Sequence, residues 1–131
     1  MPSTGRLLLD TNAVIALFAR EPLIERRLEV ATDVFVSCVA LGELYFGARK
    51  STRPTENLTR VEEFSTTVAV LPCDSEIART YGIVKNRLRE KARPIPENDV
   101  WIAATACNHD LILLTRDAHF DSVEGLTVAS W

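Results

Sequence analysis

Arg6-Leu7-Leu8-Leu9-Asp10-Thr11-Asn12-Ala13-Val14-Ile15-Ala16-Leu17-Phe18 joins two periodicities at a single acid. Residues 6–9 form an apolar run without alternation, the pattern of a strand buried on both faces, with Asp10 as its last residue. Beyond it Val14, Leu17 and Phe18 recur at i, i+3 and i+4, which predicts a helix ending near Arg20, with Thr11 and Asn12 as cap residues. A buried strand that feeds straight into a helix opens a βαβ unit, and such units build a parallel sheet covered on both faces.

The same alternation runs on through the chain. Pro22 suits the first turn of a short helix reaching about Ala31, and Val34-Phe35-Val36-Ser37 reads as the second strand. A helix from Val39 to Lys50 follows, with Leu41, Leu44, Tyr45 and Ala48 as its packing stripe. Pro54 to Thr67 is a fairly polar helix, Val68–Leu71 a third strand, and Asp74 or Ser75 caps a long helix carrying Ile77, Tyr81, Val84 and Leu88. Arg93-Pro94-Ile95-Pro96 breaks that helix. Glu97 to Asn108 forms another, and strands at Leu111–Leu114 and, after the Gly125 turn, at Leu126–Val128 complete the series. The fold class is therefore α/β, with a mostly parallel five-stranded sheet, right-handed crossovers and helices on both faces.

At 131 residues this is the length of one domain, expected to span residues 1–131. The chain is 47% hydrophobic and 25% charged, the balance of a soluble globular protein. No stretch approaches a membrane span, and Met1-Pro2-Ser3-Thr4-Gly5-Arg6 lacks the apolar core of a signal peptide, so a cytoplasmic location is expected. Cys38, Cys73 and Cys107 are odd in number, far apart and set in apolar segments; they read as small buried hydrophobes, not as a disulfide framework or a metal site. A net charge of −3 argues against nucleic-acid binding through the overall field but leaves local patches open.

Four acids stand at element ends or on apolar helices. Asp10 closes the first strand and Asp117 follows the fourth by three residues, so both side chains can project from one sheet edge, where open α/β sheets bind ligands. Helix or turn capping is the ordinary use of such an Asp, and two together weaken that reading. Glu43 has Val39 and Phe46 on one side of its helix and the packing stripe on the other; a carboxylate so placed needs a partner, either a cation or a structural Arg. Asp99 shares the inward stripe of Ile102, Ala103 and Ala106 at a helix start, where the backbone favours an ionised acid.

Clustered carboxylates raise one another's pKa unless a cation neutralises them, and oxygen donors without nearby His or Cys favour Mg²⁺ or Mn²⁺ over Zn²⁺. An ion held this way polarises a phosphodiester and acidifies an attacking water. The predicted catalytic and metal-holding residues are Asp10, Glu43, Asp99 and Asp117. Thr11, Asn12, Asn98 and Thr115 adjoin them and either orient the acids and a water or cap helices and turns. His109, at a helix end, and His119, in a turn before Phe120, read as surface or capping residues and not as ligands.

Taken in order, Leu8-Leu9-Asp10-Thr11-Asn12, Ala40-Leu41-Gly42-Glu43-Leu44, Ile95-Pro96-Glu97-Asn98-Asp99-Val100-Trp101-Ile102-Ala103-Ala104 and Leu114-Thr115-Arg116-Asp117-Ala118-His119-Phe120 resemble the PIN-domain ribonucleases, and among them the VapC-type toxins of bacterial toxin–antitoxin pairs. The resemblance runs nearly the full length and departs from the family pattern at none of the four acids, with Thr115 in the place of its polar Thr or Ser. It implies a PIN-like domain, Mg²⁺-dependent endonucleolytic cleavage of RNA, a homodimer, and a VapB-like antitoxin whose C-terminal segment enters the active-site groove. Lys85, Arg87, Arg89, Lys91 and Arg93, with Arg49, Lys50 and Arg53 after the Glu43 helix, offer either an RNA phosphate track or solvated helix faces. Leu17, Phe18 and Phe46 read as core or as an antitoxin-binding surface.

Three rivals share parts of this pattern. A phosphoacceptor receiver domain needs an Asp ending the third strand, where this chain has Leu71-Pro72-Cys73, and a haloacid-dehalogenase-type phosphatase needs a second Asp where this chain has Asn12. A catalytically silent PIN-like scaffold that binds RNA or a protein is the alternative from another class, and the presence of all four acids argues against it.

Overall fold

The computed structural model describes residues 5–131, and its chain order is β1 (Arg6–Leu9), α1 (Thr11–Phe18), α2 (Pro22–Glu29), β2 (Asp33–Ser37), α3 (Cys38–Arg49), α4 (Pro54–Thr67), β3 (Ala69–Leu71), α5 (Ser75–Glu90), α6 (Glu97–Asn108), β4 (Ile112–Leu114), a short 3-10 helix (Ala118–Ser122) and β5 (Thr127–Ala129). Residues 1–4, which belong to the N-terminal stretch read for a leader, lie outside the described residues.

The five strands form one sheet in the order β3-β2-β1-β4-β5, and every pair is parallel. Leu8 of β1 faces Phe35 on one side and Leu113 on the other. Leu7, Leu8 and Leu9 are at most 1% exposed, as an unalternating apolar run requires, and each contributes about 2 kcal/mol by leaving water. Gly5 immediately precedes β1 where the backbone meets Thr32: a Cβ at Gly5 would lie 1.8 Å from Thr32 Oγ1 and 2.8 Å from the Thr32 backbone N, so only glycine permits this approach.

From β1 the chain winds outward through β2 to β3, then returns to the opposite side of β1 as β4. The strand order reverses between β1 and β4, and the crevice beyond their carboxyl ends is where an open α/β sheet binds ligands. Asp10 follows β1 directly and Thr115-Arg116-Asp117 follow β4, so the winding delivers both acids to that crevice.

Several boundaries and surfaces differ from the expectation. β1 ends at Leu9, and Asp10, not Thr11 or Asn12, caps α1: its Oδ1 accepts the Ala13 N–H at 2.7 Å. α2 stops at Glu29 and α3 begins at Cys38, with Ser37 as its cap. On α3 the buried positions are Ala40, Leu44 and Ala48, while Leu41 and Tyr45 are half-buried and Phe46 is 65% exposed. Leu17 and Phe18 pack on the core, Phe18 edge-on to Phe64.

The cysteines are not buried hydrophobes. Cys38 and Cys73 are exposed and Cys107 is half-buried, because Cys38 opens α3 beyond the end of β2 and Cys73 lies in the loop beyond β3. An apolar neighbourhood in sequence does not bury a residue that sits past the end of its strand. Among the described residues no helix is long and apolar enough to cross a membrane.

Candidate functional site

The four predicted acids face one cleft of about 270 Å³ at the β1–β4 reversal, whose wall also includes Thr11 and His119. Each acid comes from a different element. Asp10 is the α1 cap and is 4% exposed; Glu43 lies one and a half turns into α3; Asp99 is in the first turn of α6; Asp117 caps the 3-10 helix.

Every carboxylate is held by a polar neighbour. Thr115 Oγ1 donates to Asp10 Oδ2 at 2.6 Å and accepts the Asp117 N–H at 3.0 Å, so one buried hydroxyl fixes two acids. Thr11 Oγ1 donates to Glu43 Oε1 at 2.6 Å, and Asn98 Nδ2 to Glu43 Oε2 at 3.3 Å. Thus Thr11, Asn98 and Thr115 do orient acids, and Asn12, exposed, lines the cleft without such a bond. No Arg or Lys pairs with any of the four acids among the described residues, so Glu43 lacks the structural Arg that was its other explanation.

The electrostatics bear the mark of like charges confined together. Burial pushes the Asp10 carboxyl above its ordinary value, the neighbouring Asp99 and Asp117 push the same way, and the bonds from Thr115 and Ala13 only partly oppose them. Burial also raises Asp99, with Glu43 and Asp117 adding to it and His119 opposing. Oxygen donors packed closely enough to resist joint ionisation suit a hard divalent cation. By the chemistry of that donor set, the residues present fit the ion expected from the sequence.

His119 corrects the sequence reading. It is neither a free surface residue nor merely a cap: Nε2 lies 2.6 Å from Asp99 Oδ2 and Nδ1 lies 2.8 Å from Asp117 Oδ1. Asp99, Asp117 and His119 offer three ligand atoms within 4.8 Å of one another. The signal was the Asp-x-His spacing of 117–119, which a 3-10 turn folds onto one wall. His109 does cap α6, its backbone N–H bonding the Thr105 carbonyl.

The basic residues are dispersed. Lys85 pairs with Glu97 and lies over the Tyr81 ring, Lys91 pairs with Glu124, Arg89 bonds Asn86, and Lys50 lies over the exposed Phe46. Arg49, Arg87 and Arg93 are exposed and carry no ion pair among the described residues. Arg53 pairs with Glu56. Lys85 pairs with Glu97 in the first turn of α6, the turn that also carries Asn98 and Asp99.

Two further features border the site. An apolar groove of about 370 Å³, walled by Ile15, Phe18, Leu44 and Val61, shares Thr11 and Glu43 with the acid cleft. On the other side Arg116, between Thr115 and Asp117, stacks over the Trp131 ring at 4.5 Å, donates to the Trp131 carbonyl through Nε at 2.9 Å, and pairs with Glu21 at 3.6 Å.

Comparison with known proteins agrees with this geometry. The sequence profile of the PIN domain matches residues 7–126. "Ribonuclease VapC2" of Haemophilus influenzae is 34% identical over 129 residues, covering 96% of this chain and 98% of that protein. "tRNA(fMet)-specific endonuclease VapC" of Salmonella typhimurium is 31% identical with the same coverage. Among solved structures, the DNA-bound VapBC of Salmonella typhimurium superposes with a TM-score of 0.90 at 29% identity, covering 96% of this chain and 98% of that one.

Proposed function

This chain belongs to the PIN domain family, and from that premise we propose that it is a metal-dependent endoribonuclease, the VapC-like toxin of a toxin–antitoxin pair, working as one domain in the cytoplasm. One observation carries the reading: four carboxylates from four elements face a single cleft, and among the described residues no Arg or Lys pairs with them. The ribonuclease names of the relatives support RNA as substrate, and the VapBC neighbour supports a VapB-like antitoxin as partner. A homodimer is part of the same proposal.

Asp10, Glu43, Asp99 and Asp117 would hold Mg²⁺, with Mn²⁺ as a substitute; when bound, the ion screens phosphodiester charge and lowers the pKa of a water. The chain's own residues supply the geometry. Thr115 keeps Asp10 and the Asp117 backbone in register, and Thr11 and Asn98 clamp the two Glu43 oxygens from opposite sides. Asn12, on the cleft wall, is free to donate to a phosphate oxygen. Arg49, Lys50, Lys85, Arg87, Arg89, Lys91 and Arg93 remain the proposed phosphate contacts, strongest for Lys85 because it stands by α6's first turn. The apolar groove that shares Glu43 with the cleft would seat the antitoxin's C-terminal segment beside the acids it silences.

The test is cleavage of RNA by purified protein with Mg²⁺ or Mn²⁺ and with a chelator. Cleavage should require the ion, and Asp10→Asn and Asp99→Asn should each lose about 100-fold or more while remaining folded. Undiminished cleavage by folded Asp10→Asn would refute the assignment, and an inert wild type bound to RNA would favour the silent scaffold.

A further inference from the structure

We propose that His119 is a ligand of the ion in this cleft, so that the site is a mixed nitrogen and oxygen site that holds Mn²⁺ more tightly than Mg²⁺; this rests on the metal-site reading above. The imidazole stands between two carboxylates, with Nε2 2.6 Å from Asp99 and Nδ1 2.8 Å from Asp117. A ring carrying both protons would donate to both oxygens, whereas the neutral ring that ligates an ion has one N–H for these two gaps and turns the lone pair of its other nitrogen toward a carboxylate. A shared cation is what turns such a lone pair and an oxygen from opponents into joint ligands. The three donor atoms lie within 4.8 Å of one another, a spread that one ion with bonds of about 2.1 Å can nearly span.

The position of Asp99 selects the ligating nitrogen. It follows Asn98, whose Nδ2 bonds Glu43 Oε2, so the Asp99 side of the ring is the side toward Glu43 in the shared cleft. Nε2, on the Asp99 side, therefore ligates, and the Nδ1–H remains on Asp117 Oδ1. A ligating His that donates its other N–H to a carboxylate is the usual way such a ring is fixed in orientation and tautomer. Imidazole favours transition ions over Mg²⁺, for which oxygen-only sites are the better match.

The experiment uses the full chain loaded with Mn²⁺ as a spectroscopic probe. Pulsed electron paramagnetic resonance should show modulation from a directly bonded ¹⁴N in the wild type, and His119→Gln should lose it. Thermal-shift titrations with Mn²⁺ and Mg²⁺ should give the variant a roughly 10- to 100-fold smaller preference for Mn²⁺. Mn²⁺ bound without a nitrogen signal, or an unchanged preference in His119→Gln, would overturn the ligand assignment while leaving the nuclease reading intact. Failure of Mn²⁺ to bind would overturn both, whereas absence of RNA cleavage beside a nitrogen-coupled Mn²⁺ would sink only the nuclease reading. The wild-type spectrum decides the matter even where the variant fails to fold.

Discussion

Asp10 serves two ends that pull against each other. As the α1 cap it accepts a backbone N–H, which favours a charged side chain, yet burial and the adjacent acids hold its pKa above the ordinary value. A carboxyl raised in the folded state binds its proton more tightly there than in the unfolded chain. Its stabilising contribution is therefore present below the unfolded pKa and lost as pH rises through the folded one. In metal-free protein, Asp10→Asn should melt at or above the wild-type temperature near neutral pH, because Asn caps as well as Asp, and the gap should close as pH falls through the carboxylate range. Thermal melts of both proteins across that range check this, and a variant less stable at neutral pH would contradict it. The convergence of the acids was legible in sequence because Asp10 and Asp117 stand beyond strand ends while Glu43 and Asp99 lie among the apolar positions of their helices. His119 was not, since its role depends on a 3-10 turn that folds it back over Asp117, and residue type alone does not announce that turn. The exposure of Cys38 and Cys73 was missed for a related reason: apolar neighbours along the chain say nothing of where a strand stops.

At the scale of elements, helix starts separate folding from chemistry. Asp74 caps α5 as Asp10 caps α1, its Oδ1 accepting the Ile77 N–H at 3.1 Å, but it follows β3, two strands away from β1. Asp74→Ala should cost about 1 kcal/mol, a fall of about 4 °C in Tm, and leave RNA cleavage unchanged. Melting and cleavage assays on one preparation test both halves. The limits of α4 and α6 were readable to the residue, since Pro54 and the Pro94–Pro96 break mark where each can begin. Those of α1, α2 and α5 were less so. Arg20 and Ala92 leave helices in the left-handed region without a glycine to signal it, and each end is closed by a local pair of backbone bonds, Glu21 N–H to Ala16 and Arg20 N–H to Leu17 in α1, Arg93 N–H to Leu88 and Ala92 N–H to Arg89 in α5.

For the whole molecule, topology does most of the positioning. The apolar strands and the helices between them were enough to anticipate a parallel five-stranded sheet, but not its order; the β1–β4 reversal that creates the crevice follows only from how the crossovers pack. Because the acids meet there at an electrostatic cost, a divalent ion should stabilise the entire fold. At a concentration a hundred times its Kd, Mn²⁺ should add about 2.7 kcal/mol, raising Tm by about 10 °C, and a chelator should reverse it. A Tm indifferent to Mn²⁺ would count against the shared site.

The Arg116 brace carries this further. Because the segment bearing Thr115 and Asp117 is already fastened to Glu21 and to Trp131, that wall has little motional freedom left to surrender when a ligand arrives. A ligand held against that wall would find the segment already pinned, and would forfeit less disorder on arrival than it would at an untethered rim.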